Sequence, residues 1–172
     1  QAVPTVYANG KMLHVGRGTL GQLLEKLEQE VGVTADATVE AVTRDYDVVV
    51  AGGGPAGASA AIYLARKGLK VAIVAENVGG QVKETVDIEN LISVPHTTGA
   101  QLANSLRTHI NDYPIDIFEN RRIAGADLQG KLKTITVTGG ETFNSKAVII
   151  ATGAGWRKLN VPGEADYIGR GV

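Results

Sequence analysis

A glycine-rich run in the middle of the chain has the spacing of a loop that binds phosphate groups. Residues 52–57 read GGGPAG, follow the apolar stretch 47–51 and precede a helix-forming stretch. In a G-x-G-x-x-G motif the first glycine permits a tight turn, the second lets the backbone approach a pyrophosphate, and the third lets the helix pack closely on the strand. The free N–H groups and the positive dipole end of the helix would face the phosphates. We therefore expect Gly52, Gly54 and Gly57 to hold the pyrophosphate of a dinucleotide.

An acidic residue stands where such a motif places its ribose contact. Glu76 ends a second apolar stretch, residues 69–75, about 20 residues beyond the glycine run, as the motif expects. Its carboxylate can accept hydrogen bonds from ribose hydroxyls and would repel a 2′-phosphate, so the site disfavours NADP. The alternative, a glycine-rich turn with a chance acid downstream, is weaker because strand, turn, helix and strand follow in the order of a βαβ unit.

The motif by itself does not separate FAD from NAD, and two further stretches favour FAD. Residues 79–81 (GGQ) follow the ribose-binding strand directly, and the apolar residues 148–151 lead into Thr152-Gly153. A strand with that ending would reach the same carboxyl edge of the sheet, where the ligands of open α/β sheets bind. A long cofactor with a large ring system needs such additional places of close backbone approach.

These residues need an α/β framework to position them. Thr98 and Gln101 predict a capping box at the start of a helix, residues 115–118 a short strand, and residues 131–138 and 142–150 an antiparallel pair. Together with the βαβ unit, these patterns predict a Rossmann-like α/β fold that includes an antiparallel meander.

Residues 1–32 predict a separate unit. Asn9-Gly10, between two β-prone runs, is the strongest two-residue signal for a hairpin. Residues 20–31 follow with one apolar stripe at helical spacing. A lone hairpin is marginal and the apolar face of the helix needs cover, so we expect the chain to start inside a domain. Residues 33–44 are small, polar and aperiodic, which indicates a linker.

Composition excludes several classes of function. Seventeen basic and 18 acidic residues give a net charge of −1, which does not favour nucleic acid or an anionic membrane as partner. No apolar run approaches the roughly 20 residues of a membrane-spanning helix, and a signal peptide is not evident, so we expect a cytoplasmic protein. The chain has no cysteine, which excludes disulfides and thiol chemistry by this chain alone. The histidines are scattered, so we predict no metal site, and we interpret Arg121-Arg122 as a solvated pair.

Three segments resemble the first half of the FAD domain of the thioredoxin-reductase-like flavoproteins. They are GGGPAGASAAIYLARKG, VGGQVKETVDIENLISVP and AVIIATGAGWRKLNVPGE. DIENLISVP and the last segment resemble one branch in particular, the flavoprotein subunit of bacterial alkyl hydroperoxide reductase. The N-terminal AVPTVYANGKMLHVGRGTLGQLLEKL resembles the end of that branch's thioredoxin-like domain. The resemblance divides the chain into a C-terminal fragment of a thioredoxin-like domain (1–32), a linker (33–44) and the first segment of an FAD-binding domain (45–172).

The resemblance implies a function and a set of cofactor contacts. NADH would reduce FAD, the flavin would reduce a Cys-x-x-Cys pair, and electrons would pass through an N-terminal dithiol to a peroxiredoxin partner of a homodimeric enzyme. No catalytic side chain is expected, because the cofactor performs the chemistry. The implied contacts are Gly52, Gly54, Pro55, Ala56 and Gly57 at the pyrophosphate, Glu76 at the adenosine ribose, Gly80, Gln81, Thr85 and Asn90 along the flavin and ribityl chain, the backbone of Ile123 at the adenine, and Ala151, Thr152 and Gly153 over the cofactor.

The absence of cysteine separates this chain from a complete enzyme of that family. There the Cys-x-x-Cys pair would follow directly after residue 172, with the nucleotide domain that binds NADH beyond it. We therefore expect a segment of a longer enzyme, inactive alone, that holds much of the FAD site and none of the redox cysteines. Two alternatives stay open: a thioredoxin reductase with an unusual N-terminal extension, which the hairpin unit argues against, and a non-catalytic dinucleotide-binding module.

Overall fold

The N-terminal unit is a hairpin followed by a helix. The computed structural model describes residues 4–16, 20–32, 42–155 and 161. Strands β1 (Thr5–Ala8) and β2 (Lys11–Val15) pair antiparallel. Asn9 and Gly10 between them have φ angles of 51° and 77°, which the tight turn of a two-residue hairpin requires. Helix α1 (Leu20–Val31) follows, so the predicted hairpin and helix are both present.

A mixed six-stranded sheet carries the rest of the described chain. Its strands lie in the order β5-β4-β3-β8-β7-β6. The first four are parallel, and β8, β7 and β6 form an antiparallel meander. The predicted Rossmann-like fold with a meander is therefore confirmed. The elements are β3 (Thr43–Gly53), α2 (Pro55–Ala65), β4 (Val71–Val78), α3 (Gly99–Asn111), β5 (Ile115–Phe118), β6 (Ile123–Asp127), β7 (Lys133–Val137) and β8 (Thr142–Ile150).

Strand β3 begins earlier than its apolar pattern indicates. Thr43 and Arg44, within the predicted linker 33–44, pair with Thr142 and Phe143 at the start of β8. The two threonine hydroxyls are 2.9 Å apart. These polar residues gain ladder partners from a strand that is distant in sequence, so no local pattern marks them as strand. Residues 33–41 of the predicted linker lie outside the described residues, as do residues 156–160 and 162–172 of the predicted FAD segment.

The centre of the sheet is fully buried and holds the glycine-rich turn in place. Val50 of β3 and Ile73 of β4 have no exposed surface, and full burial of such side chains contributes roughly 1.5–3 kcal/mol each. Helix α2 packs on them through small residues, Ala58 and Ala61, which are also fully buried. Small side chains let the helix lie close to the strands, and this fixes the turn between β3 and α2.

Helix α3 begins at the predicted capping box. The Gln101 backbone N–H donates to Thr98 Oγ1 at 3.2 Å, and the Thr98 N–H donates to Gln101 Oε1 at 3.0 Å. This reciprocal pair satisfies two donors that a helix N-terminus otherwise leaves unpaired.

Within the described ranges, no helix combines the length and the apolar character that crossing a membrane requires.

Candidate dinucleotide-binding cleft

A cleft of about 960 Å³ opens at the carboxyl edge of the parallel strands. Its walls are the loop after β3, the end of β4, the 3-10 turn Gly80–Glu84, the segment before β6 and the residues after β8. This edge is where ligands of open α/β sheets bind. The volume lies at the upper end of the roughly 300–1,000 Å³ of small-molecule sites.

Most of the predicted contact residues meet in this cleft. Eleven of the fourteen line it, although they come from well-separated parts of the sequence: Gly52, Gly54, Pro55, Ala56, Glu76, Gly80, Gln81, Ile123, Ala151, Thr152 and Gly153. The other three, Gly57, Thr85 and Asn90, do not belong to its lining.

Three glycines of the loop, Gly52, Gly53 and Gly57, are required by the packing of the protein itself. Gly52 has a φ of 119°, and a Cβ there would lie 2.2 Å from the carbonyl oxygen of Ala151. A Cβ on Gly57 would lie 2.0 Å from the carbonyl oxygen of Gly52. Gly57 is buried in the first turn of α2, so its task is to let the helix approach the loop. This close approach is the one that the motif predicts for its third glycine.

Gly54 is different, because no steric contact with the described residues requires a glycine there. Its φ of −74° and ψ of −177° are an extended conformation open to any residue. A Cβ on Gly54 would meet no atom of the described residues within 4 Å, and the residue lines the cleft. The missing side chain therefore leaves unfilled space at the cleft lining, where the motif places a pyrophosphate.

The start of α2 offers donors to an anion in that space. Gly54 caps the helix, and Pro55 occupies its first position, where a missing N–H costs nothing. The backbone N–H groups that follow, those of Ala56 and Gly57, have no acceptor within the helix, as in any first helical turn. Such N–H groups and the helix dipole favour a phosphate, so the loop fits a diphosphate.

A second glycine pair closes against the loop through backbone contacts. Gly79 N–H donates to the Gly53 carbonyl at 2.8 Å. Gly80 has a φ of 58°, and a Cβ there would lie 3.3 Å from the Cα of Gly54. The 3-10 turn therefore lies directly beside the glycine loop. Residues 79–81 (GGQ) thus form a second place where backbone can approach a ligand closely, as the sequence predicts.

Glu76 lies at the end of β4, and its side chain has no partner among the described residues. It is exposed and lines the cleft, and its carboxylate forms no hydrogen bond or ion pair with another residue that the structure describes. Its backbone carbonyl accepts the Asn120 N–H at 3.1 Å. The backbone is thus fixed, while the carboxylate is free to accept hydrogen bonds from a ligand.

Two arginines of the cleft wall formed by residues 121–123 were not among the predicted contacts. Arg121 and Arg122 both line the cleft. Arg121 Nε donates to Glu141 Oε2 at 2.6 Å, and Glu141 Oε1 accepts from Arg44 Nε at 2.8 Å. Glu141 belongs to the turn between β7 and β8, far from either arginine in sequence, and only the fold brings the three together. The adjacent basic pair was the one available signal in the sequence.

The bridging carboxylate is held in its charged form. Burial alone would raise the pKa of Glu141, but the hydrogen bonds from Arg44 and Arg121 outweigh it and hold the pKa below its usual value. The pKa of Glu119, which precedes this wall in the sequence, is also lowered. Burial raises this pKa, but the hydrogen bonds that Glu119 accepts from Arg107 and from the Val78 N–H lower it by more. Ionised carboxylates therefore hold the arginine side chains next to the wall in place.

Thr85 and Asn90 lie outside the cleft lining and are exposed. The Thr85 carbonyl accepts the Gly99 N–H at 3.0 Å, and a Cβ on Gly99 would lie 1.9 Å from the Val82 carbonyl oxygen. Thr85 thus joins the 3-10 turn to α3. The flavin contacts expected of Thr85 and Asn90 stay predictions.

A histidine and two carboxylates meet in the loop before α3. The bridge between Ile88 and Thr97 closes this loop and places His96 Nδ1 3.1 Å from Asp87 Oδ1 and 4.0 Å from Glu89 Oε1. The side chains are 64%, 52% and 75% exposed, respectively. Water competes at each of them for a cation, so we describe this group as an exposed surface cluster, which the spacing in sequence did not indicate.

The sequence of this chain is similar to those of known proteins. The family model "Pyridine nucleotide-disulphide oxidoreductase" matches residues 46–172. The F component of alkyl hydroperoxide reductase from Staphylococcus aureus is 47% identical over 171 residues, which cover 99% of this chain and 33% of that protein. The protein of the same name from Pseudomonas putida is 45% identical over 175 residues, with the same coverage. The chain spans about a third of the length of these curated relatives.

Solved structures of thioredoxin reductases have a similar fold. The enzyme of Streptococcus pyogenes matches with a TM-score of 0.65 and 36% identity, covering 72% of this chain and 40% of that one. The enzyme of T. acidophilum matches with a TM-score of 0.65 and 36% identity, covering 74% and 42%. The fold around the cleft is therefore shared with these thioredoxin reductases.

Proposed function

The chain belongs to the pyridine nucleotide-disulphide oxidoreductase family, and from this premise we propose that its cleft binds FAD within an NADH-dependent disulfide reductase. In the whole enzyme, electrons would pass from NADH through FAD and dithiols to a peroxiredoxin, as the sequence resemblance implies; the two bacterial relatives carry the name alkyl hydroperoxide reductase, which is compatible with this route. When bound, the flavin would supply the hydride and electron transfer. The task of this chain's residues is to bind and orient it.

The space at Gly54 carries the proposal. A methyl group there would touch no atom of the described residues, and Gly54 lines the cleft. A glycine that no contact with these residues requires is explained by a ligand that approaches the backbone so closely that it leaves no room for a side chain. The pyrophosphate of a dinucleotide is such a ligand, and the first N–H groups of α2 are its donors.

The free carboxylate of Glu76 supports an adenosine ribose as the next group. It stands one strand away from the glycine loop, at the end of β4, with no protein partner among the described residues. A ribose with free hydroxyls can donate to it, whereas a 2′-phosphate would be repelled. This chemistry suits FAD and disfavours NADP in this cleft.

A thioredoxin reductase is the second candidate, because the solved structures above carry that name. The two candidates share the FAD site and differ in the protein that receives the electrons. The alkyl hydroperoxide reductase relatives match 99% of the chain, whereas these structures cover 72% and 74% of it. We therefore favour the alkyl hydroperoxide reductase system. The peroxiredoxin partner, the homodimer and the cytoplasmic location stay predictions.

The direct test is a titration of the purified chain with FAD, followed by flavin fluorescence and the visible spectrum. We expect saturable binding of FAD and no comparable binding of NAD. A colourless chain that binds NAD and not FAD would contradict the proposal, and would favour a non-catalytic dinucleotide-binding module.

A matched pair of variants ties the result to the cleft. Gly54→Ala adds a methyl group to the cleft wall, whereas Gly125→Ala adds one to β6, where a Cβ also meets nothing within 4 Å and no positive φ interferes. We expect Gly54→Ala to raise the Kd for FAD at least about tenfold, or about 1.4 kcal/mol. Gly125→Ala should leave the Kd unchanged. Equal Kd values for both variants would argue against a pyrophosphate at the loop.

A further inference from the structure

We propose that the guanidinium of Arg122 stacks on the adenine ring of the bound dinucleotide. The inference rests on the proposed FAD site and adds a base-binding residue to it. It follows from the position of Arg122 along the edge of the sheet, from its lack of any other partner among the described residues, and from the chemistry of its side chain.

The position follows from the order of segments across the carboxyl edge. The glycine loop after β3 faces the diphosphate, and Glu76 at the end of the neighbouring β4 faces the ribose. The next segment along this edge is held on β4, because the Asn120 N–H donates to the Glu76 carbonyl and the Arg121 N–H to the Ala75 carbonyl, both at 3.1 Å. A dinucleotide that runs from diphosphate to ribose therefore places its base beside residues 121–123.

The two arginines of this segment differ in what already holds them. Arg121 forms a salt bridge with Glu141, with Nε 2.6 Å from Oε2, so its charge is already paired within the protein. Arg122 lines the cleft, and its side chain has no ion pair or hydrogen bond with any residue in the described part of the chain. The Arg122 backbone is fixed nonetheless, because its carbonyl accepts the Thr138 N–H at 2.8 Å. A fixed backbone thus presents a free cation to the cleft.

The chemistry of the guanidinium suits a base. It is planar, delocalised and weakly hydrated, and it stacks on aromatic faces. No aromatic side chain occurs among the described residues that line the cleft, so Arg122 is the delocalised cation free to cover the adenine. A lysine carries the same charge without the planar surface, which makes the two side chains distinguishable.

The test compares base-specific binding in variants of the full chain. The Kd values for FAD, ADP and CDP are measured by calorimetry for the unaltered chain, Arg122→Ala, Arg122→Lys and the control Arg66→Ala. Arg66 is an exposed arginine at the C-terminal end of α2 and is absent from the cleft lining. ADP and CDP share ribose and diphosphate and differ only in the base.

We expect Arg122→Ala to weaken FAD and ADP about five- to tenfold and CDP clearly less, since a stacked cation is worth more on the larger ring. Arg122→Lys should resemble Arg122→Ala, and Arg66→Ala should resemble the unaltered chain. Equal losses for ADP and CDP, or full rescue by lysine, would overturn stacking in favour of a phosphate contact or a structural role. Unaltered FAD binding in Arg122→Ala would also overturn it, while leaving the FAD site intact. Failure of the unaltered chain to bind FAD would instead refute the proposed function.

Discussion

The two walls of the cleft differ in the interactions that hold them: backbone packing in one, and backbone hydrogen bonds with a charged side chain in the other. The glycine loop is a wall of backbone, held by steric contacts such as those of Gly57 with Gly52 and of Gly52 with Ala151. The second wall, residues 121–123, has backbone hydrogen bonds of its own and in addition a charged side chain, Arg121, bound to Glu141. The first wall depends on shape, whereas the second also depends on the ionisation of Glu141. Stability and binding should therefore respond differently when each wall is altered.

The largest effect is expected from Gly57→Ala. The added Cβ would lie 2.0 Å from the Gly52 carbonyl oxygen, so the helix and the loop must separate. We expect the free energy of unfolding to fall by about 3 kcal/mol, as for a severe case of overpacking. Urea unfolding measures this, with Gly125→Ala as control. A loss below about 0.5 kcal/mol, the usual range of surface changes, would show that the loop can yield and that this wall is not rigid.

The next effect is expected at Glu76, where the two walls meet. Glu76→Ala should weaken FAD binding by roughly 1–3 kcal/mol, the contribution of hydrogen bonds to a charged group. Stability should hardly change, because the carboxylate has no partner among the described residues. Glu84→Ala is the matched control, since it removes the same charge from the cleft lining. FAD retention on gel filtration equal to that of the unaltered chain would refute the ribose contact.

A smaller effect is expected from Glu141→Gln, which weakens the second wall alone. Its carboxylate is 14% exposed, but Arg44 and Arg121 are 43% and 40% exposed, so solvent screens the pairs. We expect a loss of about 1 kcal/mol in the free energy of unfolding, which added salt should reduce. If the loss is independent of salt, the wall is held by packing and the contrast between the walls disappears.

The smallest effect concerns pH. The folded pKa of Glu141 is lowered from 4.5, so its stabilising contribution is present above that value and is lost as the pH falls through the folded pKa. Between about pH 5 and pH 3, the unaltered chain should therefore lose more stability than Glu141→Gln does. Gly57→Ala should follow the unaltered chain, because the wall of backbone carries no titrating group. Parallel curves for the unaltered chain and Glu141→Gln would remove the electrostatic distinction.

The same contrast explains what could be predicted from the sequence. The hairpin turn at Asn9-Gly10, the capping box at Thr98 and the glycine loop are local patterns, and the structure contains all of them. Strand β3 begins at Thr43 because of pairing with β8, and Arg121 is held by a residue of the β7–β8 turn. Such partners are set by the fold, so no window of neighbouring residues reveals them. The boundaries of the domains and the individual cofactor contacts stay predictions.

The substitution Gly54→Ala would affect stability and ligand binding differently, which matters for engineering of this chain. Replacing a glycine by alanine where the backbone is compatible stabilises a protein by about 0.4–1 kcal/mol, because the unfolded chain loses freedom, but at a helix N-cap this gain is opposed because glycine is preferred there over alanine. At Gly54 the backbone is compatible and the space is empty. The two effects are of similar size, so a screen that follows only heat resistance would register little change for Gly54→Ala and would tolerate a well-folded protein with an obstructed cleft. Selection for the ligand would detect the substitution, whereas selection for stability would not.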